Sequence, residues 1–239
     1  MMGVKITSHG SSSAGNCYII DDGARSIMIE CGVRVSSLRA AGVNLSNIDA
    51  CLISHEHGDH TKYHKDISKA GIKIFCSKGT GAAIGIEENY KVQFVEAKTV
   101  YHKTPSRGWQ LMPFDTVHDA VEPLGFLLTN GKIKLLFATD TAFLKYKFAG
   151  LTHLMIECNF QPEILQQNVE AGTISPTLAE RIKGNHFGLG SLIEFFKAND
   201  TSKLAEVHLL HLSNGQSSAK ECERIVREEL GKPVFICAA

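Results

Sequence analysis

An α/β fold, with two sheets packed face to face and helices outside them, follows from three features of the sequence. Short apolar segments rich in Ile, Val, Leu and Phe recur along the 239 residues, bounded by Gly, Asp, Asn or Ser. The first half is strand-rich with few helices, whereas in the second half strands alternate with helical patterns. No proline-rich linker, low-complexity tract or short repeat separates the halves, so a single domain over 1–239 is expected.

Taken in order, the strand patterns fall at 4–8, 17–21, 26–31, 50–55, 72–76, 92–96, 125–129, 134–140, 153–158 and 207–212. Helices are expected at 36–42, 60–70, 79–86, 163–171, 176–183, 189–198 and 216–230. The last begins with serines suited to capping and ends at Gly231, before Lys-Pro. Periodicity alone does not give the topology.

Composition narrows the class. Hydrophobic residues make up 44% and charged residues 21%, as in ordinary soluble domains, and the formal net charge is zero. Charge therefore gives no support for a nucleic-acid or membrane partner. The N-terminal stretch lacks the apolar core of a signal peptide, and no segment has membrane-spanning length, so a cytoplasmic location with no membrane partner is expected. The seven cysteines are scattered, odd in number and without a CxxC pair, which points to reduced thiols. Cys17, Cys31, Cys51, Cys76 and Cys237 sit in strand-like runs and read as small core residues.

Chemistry concentrates in LISHEHGDH, residues 52–60. The apolar run ending in ACLISH breaks at Gly58, which leaves His55, His57, Asp59 and His60 in a strand-end loop. His55 and His57, two apart on an extended chain, point to one side, and Asp59 and His60 supply a second cluster beside them. A lone histidine usually marks a solvated turn. Three of them with an aspartate behind a buried strand are the donor set for Zn²⁺ and similar ions. Glu56 reads as a solvated spacer, because its strand phase points away from its histidine neighbours. Four local donors do not complete two metal sites, and three more lie at the ends of other apolar runs: His118 in FDTVHDA, Asp140 in KLLFATD and His211 in VHLLHLSN.

The series H-x-H-x-D-H, then His, Asp and His, resembles the metallo-β-lactamase superfamily. The resemblance implies an αββα four-layer sandwich with the site along one edge. It also implies that His55, His57 and His118 hold one metal, that Asp59, His60 and His211 hold the second, and that Asp140 bridges them. The stretches SSSAGNCYII, LRAAGVNLSNIDACLISHEHGDH, HDAVEPLGFLL, FATDT, MIECN and LLHLSN are similar to the small WalJ/YycJ-type, exonuclease-like branch, over nearly the whole chain. Two departures fall on the substrate side. GNHFGLG stands where the branch has Gly-His-Leu-Ser-Asn, which keeps a histidine at His186 but loses the Ser-Asn. His9 stands where a small residue is commoner.

An Asp at position 140 instead of Cys, and a His at position 60 instead of Arg, resemble the phosphodiesterase and nuclease branches. The expected reaction is hydrolysis of a phosphodiester by a hydroxide bridging two divalent ions, Zn or Mn, with Fe also compatible. Asp59 is expected to orient the nucleophile. His186 is expected to contact the scissile phosphate or protonate the leaving group, its alternative being a plain helix-start residue. Glu157 and Asn159 are candidates for hydrogen bonds to the ligands, against a plain strand-end turn. Ser11, Ser12 and Asn16 offer hydroxyls and N–H groups to an anion, against a tight small-residue hairpin. Lys62, Lys65 and Lys69 share one face of the helix expected at 60–70 and suit a nucleic-acid backbone, against a solvated face. Asn214 in LLHLSN is a further substrate-side candidate.

The leading function is a nuclease, with a 5′-to-3′ exonuclease as its sharpest form and nucleic acid or nucleotide as partner. The 70 positions from Asp140 to His211 leave no room for an inserted clamping domain, and the Gly/Pro-rich arm of tRNA-processing relatives is absent. Two alternatives stay open: a phosphodiesterase for small cyclic nucleotides or dinucleotides, and a non-catalytic metal-stabilised binding module. Many relatives dimerise, which leaves a homodimer open as well.

Overall fold

The computed structural model describes residues 3–102 and 105–237. They form two compact units, the first ending at 115 and including 120–132, the second comprising 116–119 and 133–237.

The first unit opens with β1 (Lys5–Gly10), β2 (Cys17–Asp21), β3 (Ser26–Ile29), α1 (Val35–Ala40) and β4 (Ile48–Leu52). It continues through α2 (Gly58–Thr61), α3 (His64–Lys69), β5 (Lys73–Cys76), α4 (Lys78–Ala83) and β6 (Val92–Phe94). Strands β1 to β6 form a sheet in chain order, antiparallel from β1 to β3 and parallel from β3 to β6. Apart from Asp21 and Ser26 at their ends, strands β2 and β3 are apolar, and they are almost wholly buried, as sheet interiors require. Cys17, Met28, Cys51, Ile53, Ile74 and Cys76 belong to one buried cluster, so these thiols are core residues as expected. Burial pushes the Cys76 thiol up to about 12. The unit ends in an antiparallel meander of β7 (Tyr101–His102), β8 (Gln110–Asp115) and β9 (Leu124–Thr129).

The single helix expected at 60–70 is two short ones. A continuous helix needs the Tyr63 N–H to bond the Asp59 carbonyl. That carbonyl instead accepts Asn16 N (2.8 Å), and Tyr63 N donates to Cys31 O (3.0 Å). Lys62 is thereby the C-cap of α2, while Lys65 and Lys69 lie on α3. The expected shared face of the three lysines is corrected to this extent. Strand β8 has no counterpart among the expected strands because Pro113 interrupts its pattern.

The second unit is built on β10 (Lys134–Ala138), β11 (His153–Glu157), α5 (Pro162–Glu170), α6 (Pro176–Asn185) and α7 (Leu189–Ala198). It is completed by β12 (Glu206–Leu210), α8 (Ala219–Leu230) and β13 (Val234–Ile236). The four strands are parallel in chain order. Proline at the first turn of α5 and α6, and serine caps on α6 (Ser175) and α8 (Ser218), set the helix starts. Gly231 ends α8 at φ 61°. Parallel strands send all their C-terminal ends to one edge, which is where Asp140, Glu157 and His211 lie.

One close approach anchors the first unit's chemistry. A Cβ at Gly32 would stand 1.7 Å from the Asp59 carbonyl oxygen and 2.7 Å from Asn16 N. Gly32→Ala is therefore expected to lower stability by about 3 kcal/mol, read as a fall in urea midpoint. Gly184→Ala, in α6 with open space around the added carbon, should leave stability equal or raise it by up to about 1 kcal/mol. Equal midpoints for Gly32→Ala and wild type would contradict the packing described.

Candidate functional site

In the first unit, β4 delivers Ser54 and His55 buried, and the chain then turns through Glu56 and His57 into α2. The His55 ring lies 4.7 Å from His57 and 4.1 Å from His60, centroid to centroid. Asp59 and His60 are on the first turn of α2, not in an irregular loop as expected. Backbone bonds from Asn16 N to Asp59 O (2.8 Å) and from Cys31 N to His60 O (2.7 Å) fix that turn against β2 and the segment after β3. Asn16 Nδ2 lies 3.1 Å from Asp59 Oδ2 and 3.2 Å from His60 Nε2, so this buried amide touches the motif directly. Ser11 is also buried, its hydroxyl 2.8 Å from that of Tyr18. The Ser12 carbonyl accepts Gly15 N, which makes a tight turn at this point.

Glu56 is not a solvated spacer. Its Oε1 accepts Val121 N at 2.7 Å, and its Oε2 is buried without a hydrogen-bond partner among the described residues. Strand phase failed here because the chain leaves β conformation at Leu52.

In the second unit, Glu157 is fully buried at the end of β11 and collects four donors. Thr141 N (3.2 Å) and Phe187 N (2.9 Å) donate to Oε2, while His186 Nδ1 (2.7 Å) and His211 Nδ1 (3.0 Å) meet Oε1. Asp140 Oδ1 is also 3.0 Å from His211 Nδ1, and Asp140 Oδ2 is 3.7 Å from His118 Nε2. Asp140, Glu157, His186 and His211 each offer a ligand atom within 4.8 Å of the others. Asn159 secures the last strand end, since its Nδ2 donates to the His211 carbonyl at 2.8 Å. His186 follows α6 as its C-cap and precedes the N-cap of α7, Gly188. Asn214 is exposed, three residues beyond His211.

Electrostatics follow this packing. Burial alone lowers His211, but Asp140 and Glu157 outweigh it and push the imidazole up to about 10. Burial likewise works against charge on His186, and the Glu157 carboxylate overcomes it, raising the pKa. Glu157 itself is pushed up by burial and pulled further down by His186 and the bonds it accepts, for a net fall.

The donor set fits a divalent metal. His55 Nδ1 meets Ser54 Oγ (2.8 Å), His118 Nδ1 meets Asn185 O (3.1 Å), and His211 Nδ1 meets Glu157. His60 Nδ1 faces Glu30 Oε1 at 3.5 Å. In His55, His118 and His211, Nδ1 is the nitrogen hydrogen-bonded to the protein and Nε2 is left as the ligand atom, the usual arrangement of metal-binding histidines, whereas His60 Nε2 lies 3.2 Å from Asn16 Nδ2.

Glu30 escaped the sequence reading. It is fully buried at φ 64°, and its carboxylate accepts Ser54 N (3.3 Å) beside His60. Its signal was present: MIEC occurs at 28–31 and again at 155–158, each time placing a glutamate behind an apolar strand. Asn185, the acceptor for His118, carried no such signal.

Comparison with known proteins places these features in context. The family model described as Beta-lactamase superfamily domain matches residues 25–208. The chain is 26% identical to Exodeoxyribonuclease WalJ of Streptococcus pneumoniae, across 92% of this chain and 85% of the relative. It is 22% identical to Exodeoxyribonuclease YycJ of Bacillus anthracis, across 69% and 66%. Among solved structures, the metallo-β-lactamase fold protein YhfI of Bacillus subtilis superimposes with a TM-score of 0.75 at 17% identity, over 99% of this chain and 96% of that one. The α/β fold expected from the sequence is thus the metallo-β-lactamase fold.

Glu157→Ala leaves two buried N–H groups, of Thr141 and Phe187, without their acceptor and should cost about 3 kcal/mol. Glu157→Gln, which keeps one acceptor oxygen, should cost less than half as much. Urea unfolding of the metal-free proteins checks both, and an unchanged midpoint for Glu157→Ala would contradict the bonding above.

Proposed function

The chain belongs to the beta-lactamase superfamily, and on that premise we propose that it is a dinuclear-metal-dependent phosphodiesterase acting as a nuclease, with 5′-to-3′ exonuclease activity on DNA as its sharpest form. The observation that carries the reading is the group Asp140, Glu157, His186 and His211, where a carboxylate-held histidine lies beside two candidate ligands. The similarity to proteins named exodeoxyribonucleases supports the nuclease assignment.

The assignment of ligands follows the family resemblance. His55, His57 and His118 serve one ion, Asp59, His60 and His211 the other, and Asp140 both, in one metallo-β-lactamase-like domain over 1–239. Zn or Mn suits these donors, and Fe is compatible. When bound, two such ions lower the pKa of water and polarise a phosphoryl oxygen.

The protein's own residues do the rest. Asn16 holds the Asp59 carboxylate, and Asp59 orients the attacking water. His186 carries a proton that its bond to Glu157 retains, its side chain being 21% exposed and so open to a substrate. It donates that proton from Nε2 to the leaving oxygen. Lys62, Lys65 and Lys69 are exposed and follow the substrate's phosphates, with Ser11, Ser12, Asn16 and Asn214 on the substrate side. Burial of Ser11 and Asn16 favours a supporting role for those two. All seven cysteines are free and buried, which supports a reducing, cytoplasmic setting, and among the described residues no helix is long and apolar enough to cross a membrane. A homodimer is compatible with this reading.

The test is nucleotide release from a 5′-phosphorylated DNA duplex with Mn²⁺ or Zn²⁺. Asp59→Ala and Asp140→Ala should abolish release, and activity kept by both would end the two-metal reading. His186→Ala should lower turnover by about 10²–10⁴-fold with metal content unchanged, whereas wild-type rates would return His186 to a structural role. Release from small cyclic or dinucleotide phosphodiesters alone would favour the small-substrate alternative. Stoichiometric metal with no hydrolysis at all would favour the binding module.

A further inference from the structure

A second feature of the first unit lies just beyond the metal motif. A cavity of about 380 Å³ is lined by Arg34, Arg39, Tyr63, Asp66 and Lys69, together with the small side chains of Val35, Ser36 and Ala70. Three cations and one carboxylate line it, in a chain whose formal net charge is zero. Arg34, Arg39 and Lys69 are exposed, and among the described residues neither they nor Lys62 take part in an ion pair. Most other surface arginines are paired: Arg25 with Asp49, Arg181 with Asp119, Arg224 with Glu221 and Glu228, and Arg227 with Glu223. An unpaired cluster of like charge costs self-repulsion, which an anionic ligand relieves.

Tyr63 gives the cavity a second kind of contact. Its ring is half-buried, with Arg34 Cζ 5.7 Å and Lys62 Nζ 5.9 Å from the centroid. The ring's place is fixed by the break between α2 and α3, where Tyr63 N is held by Cys31 O. Cys31 N in turn binds His60 O, so one backbone link ties this aromatic to a candidate metal ligand. Cations on flexible stems beside a fixed aromatic ring are the elements of a single-strand binding track: phosphates meet the cations and a base stacks on the ring.

We propose that this cavity is a binding track for a single-stranded nucleic-acid segment, with Tyr63 as base platform and Arg34, Arg39 and Lys69 as phosphate contacts. The proposal rests on the nuclease reading and deepens it. It assigns a polymeric substrate, because a cyclic nucleotide held at the metal motif has no phosphate to place in a separate basic cavity. It also gives the break at Tyr63 a use that a continuous helix would not serve.

Binding and hydrolysis are measured separately. Affinity of metal-free protein for a fluorescein-labelled single-stranded DNA oligonucleotide is read by anisotropy across a series of salt concentrations, with circular dichroism melts confirming that each variant is folded. Tyr63→Ala should weaken binding roughly tenfold with little change in salt dependence. Arg34→Ala/Arg39→Ala should weaken it and reduce the slope of log affinity against log salt by about 1.4, two phosphate contacts on a single strand. Tyr63→Phe, which keeps the ring, should bind like wild type. Unchanged affinity and slope in folded Tyr63→Ala and Arg34→Ala/Arg39→Ala proteins would overturn the track, as would the absence of oligonucleotide binding by wild type. Wild-type hydrolysis of bis(p-nitrophenyl) phosphate with Mn²⁺ reads the phosphodiesterase assignment independently. Turnover there without oligonucleotide binding defeats the track alone, and binding lost in the variants supports it whatever the turnover.

Discussion

A fully buried carboxylate is tolerated only where donors surround it, and Glu157 meets that demand with two backbone N–H groups and two imidazoles. Much of the second unit's chemistry depends on this one group. It spaces the end of β11 from the junction of α6 and α7, since Phe187 N is one of its donors. It fixes which nitrogen of His211 and of His186 faces the protein. Its carboxylate also raises the pKa of both imidazoles against the effect of their burial. Removing it would free three segments at once.

The first unit repeats the device with Glu30, again at the end of a buried strand and again beside a histidine. Here the backbone carries more of the load. Asn16, Gly32, Cys31 and Tyr63 exchange main-chain hydrogen bonds with the motif and with one another, and the contact is so close that only glycine fits at position 32. Among the described residues, four non-glycine residues have positive φ, and three of them are Glu30, Asp140 and His211. Each sits one to two residues past or at a strand end, where a left-handed turn re-aims a side chain at a cost of order 1–3 kcal/mol. Strain collected at these positions, with hydrogen bonds holding it, is what a preorganised ligand set requires.

The candidate ligands were legible in the sequence because polar residues directly behind apolar strands have few other reasons to be there. The apolar strands were legible for the same reason, whereas β7, β8 and β13 were not, and Ser218 and Gly231 bounded α8 as capping chemistry requires. What was hidden depended on non-local bonds. No local pattern reports that Asn16 N takes the Asp59 carbonyl, so a helix over 60–70 looked continuous. Glu56 was misread because its partner, Val121, is 65 positions away. Glu30 was visible only as an echo of MIECN, a likeness that gains meaning once both glutamates are seen buried.

The central claim is that two divalent ions are held by the seven residues His55, His57, Asp59, His60, His118, Asp140 and His211. Anomalous diffraction at the zinc and manganese edges, from crystals grown with each metal, tests it most directly. The account predicts two peaks, one on His55, His57 and His118, the other on Asp59, His60 and His211, with Asp140 touching both and Glu157 touching neither. A single peak, or one ligated by Glu157 and His186, would contradict it.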